Sequence, residues 1–180
     1  MLEIELKARV ENLAELRTAL LKRNARFLHR NHEHDIYYNA PHRDFAVTDE
    51  ALRVRYTDGD AVVTYKGAKL RDVGLKAREE LNTAVESGEV VEQILSRLGF
   101  VKTAAVDKWR ETYVLSDATV SLDEVEGLGT FVEIEVITDS DRTQALTTID
   151  RLKKELGITG KAILSSYLEL ALSKSSASRS

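Results

Sequence analysis

Cysteine is absent from this chain of 180 residues, and proline and methionine each occur only once. Without cysteine, the sequence excludes disulfides, thiolate nucleophiles and zinc sites built on cysteine. No run approaches the ~20 apolar residues that a membrane-spanning helix needs. The acidic start, with Glu3 and Glu5, does not resemble a secretory signal. We therefore expect a cytoplasmic protein with no membrane partner.

A strong charge of one sign is also missing. Lysine and arginine number 26 and aspartate and glutamate 30, so the net charge is -4. A global basic field for nucleic acid is therefore excluded, and no nucleic-acid partner is expected. Apolar residues make up 43% of the chain, which is enough for a core. At ~150 residues per domain, the length predicts one domain over 1–172. The serine-rich end predicts a flexible tail over 173–180.

The pattern of apolar residues predicts an α+β fold that consists mostly of antiparallel strands. Strands are expected at 2–9, 27–38, 52–56, 61–66, 73–82, 100–115, 119–125 and 131–138. Helices are expected at 12–24, from Ser87 or Glu86 to about Leu98, at 142–156 and at 163–172, and a polar loop at 39–50. In the second helix the residues expected to face inward are Val90, Val91, Ile94, Leu95 and Leu98.

Nearly every expected strand has one apolar face and one charged face. The basic residues on the charged faces are Lys7, Arg53, Arg55, Lys66, Arg78, Lys108 and Arg110. The acidic ones are Glu3, Glu5, Glu80, Asp123, Glu133 and Glu135. An open sheet would leave this face in water, with cross-strand ion pairs. A closed barrel would turn it inward around a polar tunnel, where charges need pairing, a metal or a charged ligand.

The residue types on the charged faces suit one chemistry. Arginine and lysine match a polyphosphate, and carboxylates match Mg²⁺ or Mn²⁺. A metal that bridges carboxylates and phosphates is typical of phosphoryl or nucleotidyl transfer. His32 and His34 share a strand face as a zinc pair would, but no third ligand has a suitable spacing, so a surface role is expected. Trp109, opposite Lys108 and Arg110, is expected to pack in the core.

The order of the motifs resembles the CYTH superfamily, the triphosphate tunnel metalloenzymes, and within it the branch of class IV adenylyl cyclases. The quoted motifs span about residues 1–170. They are Glu3-x-Glu5-x-Lys7, His32-x-x-Asp35-Ile36-Tyr37-Tyr38, Leu52-Arg53-Val54-Arg55, Tyr65-Lys66-Gly67, Arg78-Glu79-Glu80, Lys108-x-Arg110, Leu122-Asp123, Gly127-Leu128-Gly129, Phe131-Val132-Glu133-Ile134-Glu135 and Ser166-Tyr167.

The resemblance implies an eight-stranded antiparallel β-barrel with flanking helices, a small-molecule triphosphate substrate, Mg²⁺ or Mn²⁺ as cofactor and a homodimer. The metal ligands that it implies are Glu3, Glu5, Asp123, Glu133 and Glu135. The substrate-binding residues are Lys7, Arg53, Arg55, Lys66, Arg78, Lys108 and Arg110. Catalytic roles fall to Glu3, Glu5, Glu80 and Lys108, with Glu80 orienting the basic residues or a second metal.

Three functions remain open at this point. The first expectation is an adenylyl cyclase that converts ATP to cyclic AMP and pyrophosphate. A thiamine or inorganic triphosphatase would use the same residues, because the two reactions differ only in which phosphorus lies in line with the nucleophile. A non-catalytic polyphosphate- or nucleotide-binding module is the alternative from another class, although binding of an anion alone does not require five carboxylates.

Overall fold

The computed structural model describes residues 2–70, 76–138 and 142–177. The strands are β1 (Leu2–Arg9), β2 (Arg26–Asn39), β3 (Ala51–Thr57), β4 (Asp60–Lys66), β5 (Lys76–Val85), β6 (Val101–Leu115), β7 (Ala118–Val125) and β8 (Gly129–Thr138). The helices are α1 (Leu13–Lys22), α2 (Phe45–Thr48), α3 (Gly88–Arg97), α4 (Arg142–Glu155) and α5 (Tyr167–Ala177). The strands form a closed antiparallel barrel in the order β1-β5-β4-β3-β2-β6-β7-β8. The predicted eight-stranded barrel with flanking helices is thus confirmed.

Internal contacts divide the chain into two compact units. Unit 1 comprises Met1–Asn31, Leu70–Ala77 and Lys108–Leu164, and unit 2 comprises His32–Lys69, Arg78–Asp107 and Ser165–Ser180. The assignment of a single domain to 1–172 stays a prediction. No helix in the described ranges is long and apolar enough to cross a membrane.

In unit 1 the apolar faces of the strands pack on helices. Ile4 and Leu6 of β1 are 0% and 2% exposed, and they share a cluster with Ile149 and Leu152 of α4. The opposite face of β1 carries Lys7, which is only 1% exposed. Both faces of the strand are therefore buried, so the charged face is not the solvated face of an open sheet.

In unit 2 a smaller apolar cluster lies under α3. Its buried members are Ile36, Tyr38 and Val54, and Val91 and Leu95 of α3 pack against them. The turn that joins β3 to β4 has positive φ angles at Asp58 (50°) and Gly59 (97°), as expected for an Asp-Gly hairpin.

Helix α3 is rotated relative to the sequence prediction. Val91 and Leu95 face the barrel as expected, but the predicted inward positions of three other residues are wrong. Val90, Ile94 and Leu98 are 52%, 50% and 64% exposed. The physical reason is that Glu92 of α3 accepts hydrogen bonds from the hydroxyls of Tyr38, at 2.5 Å, and of Tyr56, and pairs with Lys102, so this charged residue is turned toward the barrel strands.

Three smaller differences concern single elements. Trp109 is 44% exposed, with the Arg30 guanidinium carbon 4.6 Å from its ring centroid, so the expected core position is wrong. The loop at 39–50 contains the short helix α2, whose N-cap Asp44 accepts a hydrogen bond from Ala46 N. Helix α5 begins at Tyr167, not Ile163, because Ser166 and Glu169 form a reciprocal cap. The predicted strand residues 73–75 and the last tail residues 178–180 lie outside the described ranges.

Candidate active site

The charged face of unit 1 is a continuous network of ion pairs. Lys7 Nζ lies 3.3 Å from Glu5 Oε1 and 3.2 Å from Glu133 Oε1. Arg110 donates to both oxygens of Asp123, at 2.7 and 2.5 Å, and to Glu133. Strand pairing brings these groups together, because Lys7 stands opposite Glu133 and Arg110 opposite Asp123. Glu133 therefore joins two cations in one network.

Burial and ion pairing act in opposite directions on Lys7. Burial lowers the pKa of its ammonium group, but Glu5 and Glu133 raise it by more, so the net pKa lies above its ordinary value. The group therefore stays charged at neutral pH, as a phosphate ligand must. Asp123 is 0% exposed and Glu133 is 8% exposed. Charges buried this deeply are tolerated only with partners, and the network supplies them.

Three more predicted site residues belong to the same face of unit 1. Glu135 stands directly opposite Glu5 in the pairing of β1 with β8. Glu3 precedes Glu5 by two residues on β1, and Lys108 precedes Arg110 by two residues on β6. Lys108 is 2% exposed. Alternation along each strand therefore brings all eight predicted residues of this unit onto one face.

In unit 2 a buried aspartate organises two arginines. Asp35 is 1% exposed, and its two oxygens accept hydrogen bonds from Arg55 Nε at 2.6 Å and a terminal nitrogen of Arg55 at 2.8 Å. The second oxygen also lies 3.5 Å from Arg53. Another nitrogen of Arg55 lies 2.9 Å from Glu33. The Arg55–Asp35 contact is thus bidentate, which fixes the plane of the guanidinium group.

Arg53 and Arg78 are buried with unused donors. Arg53 is 8% exposed and donates to Thr64 Oγ1 at 3.1 Å, and Arg78 is 4% exposed. Within the described ranges, the Nε atoms of both arginines are buried and have no hydrogen-bond partner. Burial lowers the pKa of Arg53, but Asp35, Tyr37, Glu80 and Glu33 together raise it by more, so the group stays cationic. Buried cationic donors without acceptors are unusual, and they fit an anion that accepts from them.

Lys66 and Glu80 complete the predicted set in unit 2. They form an ion pair and stand opposite each other in the pairing of β4 with β5. Arg78 precedes Glu80 by two residues, so both lie on one face of β5. The predicted residues of unit 2 are therefore brought to neighbouring strands, with Arg53 and Arg55 on β3, Lys66 on β4 and the other two on β5.

Sequence reasoning missed the residues that hold these cations in place. Asp35 and Glu33 were not among the predicted site residues, although alternation with the buried Tyr37 would have identified their face. Thr64 is 0% exposed and links Arg53 to Asn82, to which its hydroxyl donates at 2.7 Å. A single threonine in an apolar strand carries no signal of this kind, so it could not have been found from the sequence.

The carboxylates of unit 1 are suited to a divalent metal by their donor chemistry. The five predicted ligands offer only oxygen atoms, which Mg²⁺ and Mn²⁺ prefer. In the ranges that the structure describes, no three carboxylate or imidazole groups are arranged to hold a metal ion. Glu5, Glu133 and Asp123 instead contact Lys7 and Arg110. The donor set therefore fits a metal. For the metal to bind, it must replace Lys7 and Arg110 as the cation that these carboxylates contact.

His34 has a role in a surface contact. Its Nδ1 lies 2.8 Å from Asp107, and His32 Nε2 lies 3.7 Å from the same oxygen. Both histidines are more than a third exposed. This agrees with the expected surface role.

Comparison with known proteins identifies the family. The model of the CYTH domain matches residues 1–167, which is most of the chain. The chain belongs to the CYTH domain family. A relative from Methanocaldococcus jannaschii, named as a candidate adenylate cyclase, is 39% identical over 173 residues; the match covers 94% of this chain and 98% of that protein.

Solved structures share the fold. A protein of Pyrococcus horikoshii is 36% identical, with a TM-score of 0.86 over 96% of this chain and 99% of that one. A candidate adenylyl cyclase from Hippeastrum is 20% identical, with a TM-score of 0.71 over 97% of this chain and 96% of that one, and its structure is described as revealing a dominant triphosphatase activity. At this identity the second likeness concerns the CYTH fold alone.

Proposed function

We propose that this CYTH protein is a divalent-metal-dependent enzyme that acts on a triphosphate, and that its reaction is the conversion of ATP to cyclic AMP and pyrophosphate. The observation that carries the proposal is the pair of buried arginines, Arg53 and Arg78, whose Nε donors have no partner among the described residues. The name of the Methanocaldococcus jannaschii relative supports the cyclase as the first choice.

In this proposal the cations of unit 2 bind phosphate oxygens. Arg53 and Arg78 donate their unused Nε–H groups, and Lys66 contributes a point charge. Asp35 holds Arg55 in a fixed plane, so little side-chain entropy is lost when the phosphate binds. Glu80 positions Lys66 through their ion pair.

The carboxylates of unit 1 are proposed to hold Mg²⁺ or Mn²⁺. The ligands would be Glu3, Glu5, Asp123, Glu133 and Glu135. A bound metal lowers the pKa of the attacking hydroxyl and neutralises charge that develops on the phosphates. Lys7, Lys108 and Arg110 remain on the same face and bind the phosphate oxygens. Lys108 stabilises the negative charge of the departing pyrophosphate.

A triphosphatase is the second candidate. The observation that favours it is the dominant triphosphatase activity described for the Hippeastrum protein, which shares the fold. Its substrate would be thiamine triphosphate or inorganic triphosphate, and water would replace the ribose hydroxyl as nucleophile. The same residues serve both reactions, because fold and phosphate contacts do not determine which phosphorus is attacked.

A product assay tests the proposal. The purified chain is incubated with ATP, thiamine triphosphate or inorganic triphosphate, with Mg²⁺ or Mn²⁺, and cyclic AMP, pyrophosphate and phosphate are measured. We expect cyclic AMP and pyrophosphate in equal amounts from ATP. Free phosphate without cyclic AMP would favour the triphosphatase. Binding of ATP that survives a chelator, with no product from any substrate, would make the chain a binding module.

Two glutamine variants locate the proposed metal site. Glu133→Gln should abolish turnover, because it removes a carboxylate from the proposed ligands. Glu111→Gln is the matched control. Glu111 also belongs to unit 1, but it accepts hydrogen bonds from Arg17 of α1 and is not one of the proposed metal ligands. Wild-type rates in Glu133→Gln with either metal would refute the assignment.

We also propose that the protein is cytoplasmic and forms a homodimer.

A further inference from the structure

The charged face of β4 and β5 in unit 2 changes in character along the two strands. Val63 of β4 packs in the apolar cluster under α3, so the charged face is the opposite one. Three successive rows of paired residues lie on this face, and they are Lys66 with Glu80, Thr64 with Asn82, and Val62 with Ala84. Each row is ~6.6 Å from the next. The face therefore runs from a charged row, through a polar row, to an apolar row.

The polar row is a chain of hydrogen bonds with a defined direction. Arg53 of β3 stands opposite Thr64 and donates to its hydroxyl at 3.1 Å, and this hydroxyl donates to Asn82 Oδ1 at 2.7 Å. A guanidinium only donates, so the Thr64 oxygen accepts from Arg53 and its single proton needs an acceptor. Thr64 is 0% exposed, and among the described residues its proton has no acceptor other than Asn82. The oxygen of the Asn82 amide therefore faces Thr64.

This direction leaves the Asn82 amide as a donor. Its oxygen is occupied by Thr64, and within the described ranges its NH₂ group makes no hydrogen bond to the protein. Asn82 is exposed, so a ligand on this face reaches the NH₂ group without displacing a side chain. The chain thus holds a neutral donor on β5 at a fixed place relative to Arg53, the proposed phosphate ligand. Such a donor suits a hydroxyl oxygen or a ring nitrogen.

The apolar row suits an organic group and not a phosphate. Val62 is partly buried and Ala84 is exposed, and both lie on the same face as Thr64. Arg55 of β3 is the third member of this row, and Asp35 binds it through two hydrogen bonds. The two alkyl groups offer a phosphate no donor, and they exclude the water that would solvate it. A flat organic group, by contrast, gains from contact with them, because its apolar surface leaves water.

We propose that Asn82 is a specificity-determining residue, whose NH₂ group donates to an acceptor of the nucleoside in a nucleoside triphosphate while Val62 and Ala84 contact the base. The three rows follow the order of groups in such a molecule, which is phosphates, ribose and base. Inorganic triphosphate has no group for the second and third rows. In thiamine triphosphate the ring next to the phosphates is a cationic thiazolium, which a donor does not favour. The inference rests on the proposed function and names the residues that select the nucleoside.

Titration calorimetry on the full chain tests the role of Asn82. The ligands are ATP, thiamine triphosphate and inorganic triphosphate, with Ca²⁺ in place of Mg²⁺ to slow turnover. Asn82→Ala should raise the Kd for ATP about three- to tenfold, the effect of one lost hydrogen bond, and leave the Kd for inorganic triphosphate unchanged. Thr83→Ala is the matched control, because Thr83 is also exposed but lies on the other face of β5. It should change neither Kd.

Val62→Thr tests the apolar row. The substitution keeps the branched shape of the side chain and replaces one methyl group by a hydroxyl, which loses water when a base covers it. We expect a raised Kd for ATP and an unchanged Kd for inorganic triphosphate. An unchanged Kd for ATP would overturn the contact of the base with this row.

Two variants of Thr64 test whether this residue positions Asn82 and Arg53. Thr64→Val keeps the volume but removes the hydroxyl, so both ATP and inorganic triphosphate should bind more weakly, because Arg53 also loses a partner. Thr64→Ser keeps the hydroxyl, so it should bind both ligands as the wild type does. Equally weak binding by the two variants would mean that Thr64 acts through packing, and the positioning role would be overturned.

The outcomes distinguish this inference from the proposed function. If the wild type binds neither ATP nor inorganic triphosphate, the proposed function fails and this inference fails with it. If the wild type binds both, and Asn82→Ala weakens both by the same factor or weakens neither, only the role of Asn82 in specificity is overturned. Tighter binding of thiamine triphosphate than of ATP would overturn the choice of a nucleoside. Far-ultraviolet circular dichroism checks that every variant folds.

Discussion

Asp35→Asn should destabilise the protein by about 3 kcal/mol. This variant tests how much the buried contacts of Asp35 with Arg53 and Arg55 contribute to the free energy of unfolding. Asp35 is 1% exposed and accepts from Arg55 at 2.6 and 2.8 Å and from Arg53 at 3.5 Å. Removing one partner of a buried ion pair costs about 3–5 kcal/mol, because the other charge stays buried. The lower end applies, since Arg55 keeps Glu33 and Arg53 keeps Thr64.

Denaturant unfolding at pH 7 measures this loss. For a chain of this length, about 3 kcal/mol corresponds to a fall in Tm of about 6–12 °C. Asp107→Asn is the matched control, because Asp107 also contacts a side chain, that of His34, but is 31% exposed, and an exposed contact of this kind contributes at most about 1 kcal/mol. If Asp35→Asn costs no more than Asp107→Asn, the Asp35–Arg55 contact does not carry the energy that its burial implies.

Three further changes test other contacts. Arg78→Met should bind inorganic triphosphate about tenfold or more weakly in calorimetry, with stability unchanged or slightly raised because a buried charge is removed; unchanged affinity would contradict the phosphate role. Glu169 has a pKa of about 2, since Lys69 and Ser166 outweigh the effect of burial. Its lowered pKa stabilises the fold above pH ~4.5, and this contribution is lost as the pH falls toward 2. Glu169→Gln should therefore cost about 1 kcal/mol at pH 7, after allowance for solvent screening, and progressively less as the pH falls, with no cost once the pH is well below 2; a difference independent of pH would exclude the charge as its cause. Glu92→Ala should lower stability by about 2 kcal/mol in urea unfolding, as the hydroxyls of the buried Tyr38 and the half-buried Tyr56 lose their acceptor.

The strands could be predicted well because their alternation is a local property. The residues of β1 and β8 show one apolar and one charged face in the sequence, and the structure buries both faces. The sequence pattern alone did not decide between an open sheet and a barrel. The choice between them depends on whether the two edge strands of the sheet pair with each other. Only the resemblance of the ordered motifs to the CYTH superfamily favoured the barrel.

The orientation of α3 could not be predicted because its cause lies outside the helix. Apolar residues occupy two neighbouring faces, so the helix alone does not select one. The donors that bind Glu92 come from Tyr38 and Tyr56 on β2 and β3. The start of α5 is different: Ser166 and Glu169 form a capping box that is visible in the sequence, so this boundary was predictable.

Each strand of unit 1 has one apolar and one charged face, and this pattern also helps the strands to pair in the correct register. A slip of one residue in the pairing of β1 with β8 would move Glu5 and Lys7 to the side of Ile149 and Leu152. Each charge would then be buried among alkyl groups, at a cost of several kcal/mol. The same residues proposed to hold metal and phosphate thus exclude the shifted pairing. A variant that neutralises several of them should fold with more mispaired chains, even where its native state is more stable.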